Sequence, residues 1–68
     1  MPGAWVTRIF RADAAQNGGI IRRAIHSVER FSSEEELIRE VKRRGFHMVR
    51  SGGQYVILCN KGTFKLIC

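Results

Sequence analysis

Residues 32–60, SSEEELIREVKRRGFHMVRSGGQYVILCN, predict a helix followed by a β-hairpin. Ser32 and Ser33 each have a glutamate three residues later, so a capping box is available in either register. Gly45 stands where a helix places the left-handed residue that ends it. Both ends of this helix are therefore specified by the sequence.

The predicted helix has a single apolar stripe, formed by Leu37, Ile38 and Val41. Its charged residues are spaced for i,i+4 ion pairs: Glu35 with Arg39, and Glu40 with Arg44. A helix of about 12 residues is about 18 Å long, enough to cover one face of a sheet. The helix is expected to pack its stripe on that face.

The rest of the chain predicts further strands. β-branched and aromatic residues are frequent in it, and the Asn17-Gly18 pair is typical of a tight hairpin turn. Residues 55–59, YVILC, form an unbroken apolar run, which is typical of a strand covered on both faces. We expect one α+β domain over residues 1–68, with an antiparallel sheet of about five strands in ββαβββ order and one helix packed on one face. The predicted strands are residues 5–12, 20–31, 46–50, 55–60 and 64–68.

The size of the chain predicts self-association. A chain of 68 residues buries only about 60% of its unfolded surface, and two cysteines cannot make a disulfide framework. One helix covers one face of the sheet, so the apolar side chains of the other face need a second chain. We expect a homodimer, formed through a shared sheet face, through an edge-to-edge sheet or by exchange of elements about the loop at residues 13–19. The predicted interface residues are Ile21, Ile25, Tyr55 and Ile57.

The charge distribution predicts an alternative function, nonspecific binding of RNA or DNA. The chain has 12 Lys and Arg against 6 Asp and Glu, a net charge of +6, and the predicted helix is neutral. The excess lies in the predicted strands and their connections, where it also fits plain solubility and edge protection. Trp5 or Tyr55 would offer a stacking surface. The predicted phosphate contacts are Arg22, Arg23, Arg50, Lys61 and Lys65.

No residue pattern in the chain is typical of an active site. His26, His47, Cys59 and Cys68 are candidate zinc ligands, but none has the spacing of a metal motif. The glycine-containing turn at residues 51–54 is followed by a strand, so it lacks the helix N-terminus of a phosphate loop. The sequence predicts no enzyme, no cofactor, no metal and no small-molecule substrate.

The hydropathy pattern predicts a cytoplasmic protein without a membrane role. No charged segment followed by an apolar run and a cleavage site begins the sequence. The longest uncharged run, residues 51–60, is far shorter than the roughly 20 apolar residues that span a bilayer.

Residues 36–58, with a helix that leads into Gly45-Phe46 and a hairpin, resemble the helix-to-hairpin part of HicA-type toxins, which are small ribonucleases. Where that family has its catalytic histidine, this chain has Gly53-Gln54-Tyr55. The resemblance implies that such a hairpin can face RNA, and a third hypothesis is a toxin relative that lacks the usual catalytic histidine. The whole chain also resembles short bacterial proteins with an R-R-G-F-H…G-x-Q-Y-V signature, which implies no known activity.

Overall fold

The computed structural model describes residues 3–68, with the exception of the Asp13 side chain, and shows an α+β fold as predicted. In these residues four helices accompany a sheet of three strands rather than five. Their bounds are α1 Ala4–Ile9, α2 Asp13–Gln16, β1 Ile20–Ala24, α3 Ile25–Phe31, α4 Glu34–Arg43, β2 His47–Ser51 and β3 Gln54–Leu58.

The N-terminus of α4 confirms the predicted cap and selects one register. Ser33 is the N-cap, and its Oγ accepts a hydrogen bond from the Glu36 N–H at 3.0 Å. The Glu36 carboxylate does not complete the capping box. It accepts hydrogen bonds from the Ser32 Oγ at 2.6 Å and from the Gly3 N–H at 2.5 Å. The start of α4 therefore also holds the chain just before α1.

The C-terminus of α4 confirms the predicted glycine stop. Gly45 has φ +75°, and its N–H donates to the Lys42 carbonyl at 3.0 Å. The Phe46 N–H donates to the Val41 carbonyl at 3.0 Å, which completes a Schellman motif. Both predicted ion pairs of the helix, Glu35–Arg39 and Glu40–Arg44, are also present.

The strand predicted at residues 5–12 is wrong, because α1 occupies most of this segment. Val6 and Ile9 of α1 are buried, as is the C-cap residue Phe10, and their spacing of three and four places them on one face of a helix. The high content of β-branched and aromatic residues favoured a strand, but burial of this helical stripe outweighs local propensity.

The strand predicted at residues 20–31 is correct only in its first half. β1 ends at Ala24, and α3 begins at Ile25 and buries Val28. The hairpin turn predicted at Asn17-Gly18 is wrong: the chain turns here from α2 into β1, and only Gly18 has a positive φ, +73°.

The other predicted strands give a hairpin and an irregular segment. β2 and β3 form the hairpin as expected, whereas residues 64–68, predicted as a strand, have no regular structure. The sheet order is β1-β3-β2 and both pairings are antiparallel. β3 is therefore the central strand, with Ile57 opposite Ile21 on one side and Met48 on the other.

The core lies on one face of the sheet, between the strands and the helices. All four described helices contribute buried side chains to it, α2 through Ala15, where one helix was predicted. Each helix is short, but together their apolar stripes cover the sheet face, which a single helix of ten residues does not. The buried apolar residues are Val6, Ile9, Phe10, Ala15, Ile21, Val28, Leu37, Val41, Tyr55, Ile57 and Cys59.

Candidate interaction surface

The opposite face of the sheet carries none of the core residues, and we call it the open face. Strand side chains alternate between faces, and residues paired across strands share a face. Tyr55 and Ile57 point into the core, so the intervening residues and their partners define the open face. Its members are Ile20, Arg22, Ala24, His47, Val49, Ser51, Gln54, Val56 and Leu58.

The open face is apolar at one end and polar at the other. Leu58 lies between Ile20 and His47 in one row, and Val56 lies in the next row between Arg22 and Val49. In the last row Gln54 lies between Ala24 and Ser51. Ile20 is 51% exposed, while Val49, Val56 and Leu58 are half-buried. This arrangement gives a small apolar patch bordered by polar side chains.

A groove with a volume of about 580 Å³ lies between α4 and β2, and we call it the β2 groove. Ile38, Val41 and Lys42 line it from α4. Residues 46–50 line it from the strand side, and Phe64 also lines it. Since β2 is at the edge of the sheet, the groove runs beside a strand that no other described strand pairs with on that side.

The segment after β3 passes the start of β2 and ends in exposed apolar residues. The His47 Nε2 lies 2.6 Å from the Gly62 carbonyl oxygen, and the His47 and Phe64 rings stack with centroids 5.9 Å apart. Beyond this contact Leu66 is 77% exposed and Ile67 is 81% exposed. Large apolar side chains exposed this close together are typical of interaction sites.

The residues predicted as a dimer interface lie in the interior of the single chain. Ile21, Tyr55 and Ile57 are buried, and Ile25 is half-buried against the core. The apolar run at residues 55–59 predicts a strand covered on both faces, but the helices cover only the face that holds Tyr55 and Ile57. The exposed apolar surface of the sheet is therefore the open face.

The five predicted phosphate contacts are not brought together. Arg22 is on the open face, while Arg23 and Arg50 flank Tyr55 on the helix side of the sheet. Lys61 lies against Gly45, where an added Cβ would meet its Cγ at 3.4 Å. Lys65 is exposed in the segment after β3.

The two aromatic residues predicted to stack on bases are both engaged within the chain. Tyr55 is 2% exposed, and its Oη donates to Glu34 Oε2 at 3.0 Å. Burial, followed by this hydrogen bond, raises the pKa of Tyr55, so the phenol is protonated at neutral pH. Trp5 stacks on Phe31 with ring centroids 5.8 Å apart.

The candidate zinc ligands do not form a cluster. In residues 3–68, without the Asp13 side chain, no group of three His, Cys, Asp or Glu side chains converges on a metal position. Cys59 is buried and Cys68 is exposed, and neither is in a disulfide. Burial raises the pKa of the Cys59 thiol, which keeps it protonated at neutral pH and poorly nucleophilic.

The open-face residues were not identified from the sequence as one separate surface. The signal was the parity of residues 55–59: if Tyr55, Ile57 and Cys59 face a core, Val56 and Leu58 must face away from it. The unbroken apolar run hid this parity. The sequence contains no signal for the β2 groove, because the groove exists only if β3 is the central strand and β2 lies at the edge of the sheet.

None of the helices described in residues 3–68 combines the length and apolar content needed to cross a bilayer. Comparisons of the chain with protein-family models, with curated proteins and with solved structures gave no match.

Proposed function

We propose that this chain is a non-enzymatic interaction module that works as a homodimer, with the open face as the contact between two copies. The observation that carries the proposal is the apolar patch of Val49, Val56 and Leu58 on a sheet face that contributes nothing to the core. Pairing two such faces would remove this patch from water, at about 25 cal/mol per Å² of apolar surface. For a chain of this size, that is a sizeable share of its stability.

In a two-fold dimer, the open face of one copy contacts the open face of the other, because an isologous interface is formed by the same surface of both subunits. Arg22, on the edge strand β1, would then lie at the rim, where charge keeps its water. A cytoplasmic setting suits the two free cysteines, since thiols stay reduced there.

Sedimentation equilibrium at micromolar concentration tests the proposal. We expect a mass of twice 7.8 kDa for the unmodified chain. Val56→Glu places a carboxylate in the apolar patch and should raise the dimer dissociation constant about tenfold or more, because the charge loses its water on association.

Gln16→Glu is the matched control. It puts the same carboxylate at an exposed position of α2, outside the open face. We expect its dissociation constant to stay close to that of the unmodified chain. A folded species of 7.8 kDa for the unmodified chain would overturn the proposal.

A further inference from the structure

We propose that the β2 groove is a strand-addition site, and that its occupant is residues 64–67 of a second copy of this chain. This inference rests on the proposed homodimer and names a second contact within it. Each copy carries one groove and one such segment, so two copies can exchange segments reciprocally and close the assembly.

The area of the open face is the first reason to look for a second contact. Three strands about 4.8 Å apart and five residues long at about 3.4 Å per residue cover roughly 240 Å² in projection. A standard protein interface buries about 800 Å² on each partner. Even with allowance for surface roughness, the open face alone falls well short. A stable dimer needs more contact than this sheet face supplies.

The edge of β2 has the form that an added strand requires. Residues 46–50 line the β2 groove consecutively, so its length follows an extended backbone. β2 pairs only with β3 among the described strands, which leaves its outer N–H and C=O groups for another partner. Ile38, Val41 and Met48 supply apolar side chains along the groove. Main-chain pairing combined with side-chain pockets is how extended segments are recognised at sheet edges.

Residues 64–67, Phe-Lys-Leu-Ile, have the composition of the missing strand. Phe64, Leu66 and Ile67 are 46%, 77% and 81% exposed, and aromatic and β-branched residues suit a strand. In an extended segment Phe64 and Leu66 point to one side and Lys65 and Ile67 to the other. One side would meet the apolar residues of the groove, and the other would extend the open face beyond Val49.

The geometry of the segment favours a second copy over its own chain. In the single chain, the contacts of His47 with Gly62 and Phe64 hold the segment beside the first residue of β2. From that point, pairing with its own β2 would have to run parallel to the strand. Parallel pairing is slightly weaker per residue, whereas a segment from a second copy is free to enter antiparallel. In the exchange, Phe64 leaves the stack with His47 and enters the groove of the second copy.

The first test compares the dimer dissociation constants of two double variants of the full chain by sedimentation equilibrium. Leu66→Ser with Ile67→Ser removes the apolar side chains of the occupant, and we expect about a tenfold or greater rise. Lys61→Ser with Thr63→Ser changes exposed positions just before residues 64–67 and should leave the constant nearly unchanged. If the Leu66 and Ile67 variant dimerises as tightly as the unmodified chain, while Val56→Glu does not, the strand-addition site is wrong and the proposed dimer stands.

The second test identifies the chain that fills the groove. Lys42→Cys puts a thiol on the α4 side of the groove, within reach of an incoming Cys68. Isotope-labelled and unlabelled protein are mixed, oxidised and digested, and disulfide-linked peptides are analysed by mass spectrometry. We expect links between the introduced thiol and Cys68 that join labelled to unlabelled chains. Links confined to chains of one label, or no link of this kind, would overturn the inference.

Discussion

Gly45 shows how much of this fold one residue can determine. Its φ of +75° lies in the left-handed region, and its N–H and that of Phe46 satisfy the last carbonyl groups of α4. An added methyl group would also contact the side chain of Lys61, whose Cγ would lie 3.4 Å from the new Cβ. The end of α4 and the entry to β2 both depend on this position.

Replacing Gly45 should lower the melting temperature by several degrees. Gly45→Ala forces a side chain into the left-handed region at a cost of about 1–2 kcal/mol, and about 1 kcal/mol shifts the midpoint of a domain this size by 4–8 °C. Thermal unfolding followed by circular dichroism measures the change. The control is Gly53→Ala, at a position without positive φ and with no heavy atom within 4 Å of the new Cβ. Equal melting temperatures for the two variants would contradict the role of Gly45.

At the scale of the helix, α4 is stabilised by the buried carboxylate of Glu40, which binds two arginines at the end of α4. The Glu40 side chain is almost fully buried, and its carboxylate accepts hydrogen bonds from Arg43 and Arg44. The hydrogen bond from Arg43, with that from Arg44, lowers the pKa of Glu40 from its ordinary value against the opposing effect of burial. The positive charges of Arg43 and Arg44, at the C-terminal end of α4, also interact favourably with the negative end of the helix dipole.

The lowered pKa of Glu40 predicts acid sensitivity. A carboxyl group whose pKa is lower in the folded chain stabilises it fully above the unfolded pKa, and this stabilisation is lost as the pH falls through the folded pKa. Glu40→Gln should therefore cost stability at about pH 7 and little at about pH 3. Chemical unfolding at both pH values gives the two free energies. Glu35→Gln, in an exposed ion pair with Arg39, should change neither by much, and a similar loss in both variants would contradict this role of Glu40.

α4 and the hairpin could be predicted because their signals are local. Ser33, Gly45 and the turn at Gly52 act on residues within a few positions, and the sequence shows all of them. α3 has no such signal, because its N-cap is Ala24 and no side chain caps it. Its helix follows from Val28 entering a core that α1 and α4 build, which is a long-range effect. The parity of residues 55–59 separates the two faces of β3, but which face stays uncovered depends on where the helices pack, which is again a long-range effect.

At the scale of the whole molecule, the positive charge is spread rather than focused. Arg22 and Arg23 point to opposite faces of β1, and the Arg23 guanidinium donates to the Arg22 carbonyl at 2.6 Å. A single duplex cannot meet both side chains from one side. The net charge of +6 therefore does not by itself make a phosphate-binding surface.

If the chain binds nucleic acid, the opposite orientations of Arg22 and Arg23 limit how much these two residues contribute to the salt dependence of the binding constant. We expect Arg22→Ala with Arg23→Ala to flatten the dependence of log K on log salt by about 0.9, the value for one phosphate contact on a duplex. Fluorescence anisotropy with a generic duplex at several salt concentrations measures the slope. Arg43→Ala, whose guanidinium is engaged by Glu40, should change it less. A change of about 1.8 would show that both arginines contact phosphates.

The strand order also governs when the sheet can exist during synthesis. β1 and β2 share no ladder, and both depend on β3, which is the last of the three strands to leave the ribosome. β2 and β3 are joined by a tight turn and can pair within microseconds, about 1–10 µs for a hairpin. β1 cannot pair until later, because the partner of Ile20 is Leu58, more than half of the chain's length away. Until residue 58 has emerged, the nascent chain holds helices and an unpaired apolar strand, and it is in this interval that the chain is most exposed to aggregation and to chaperones.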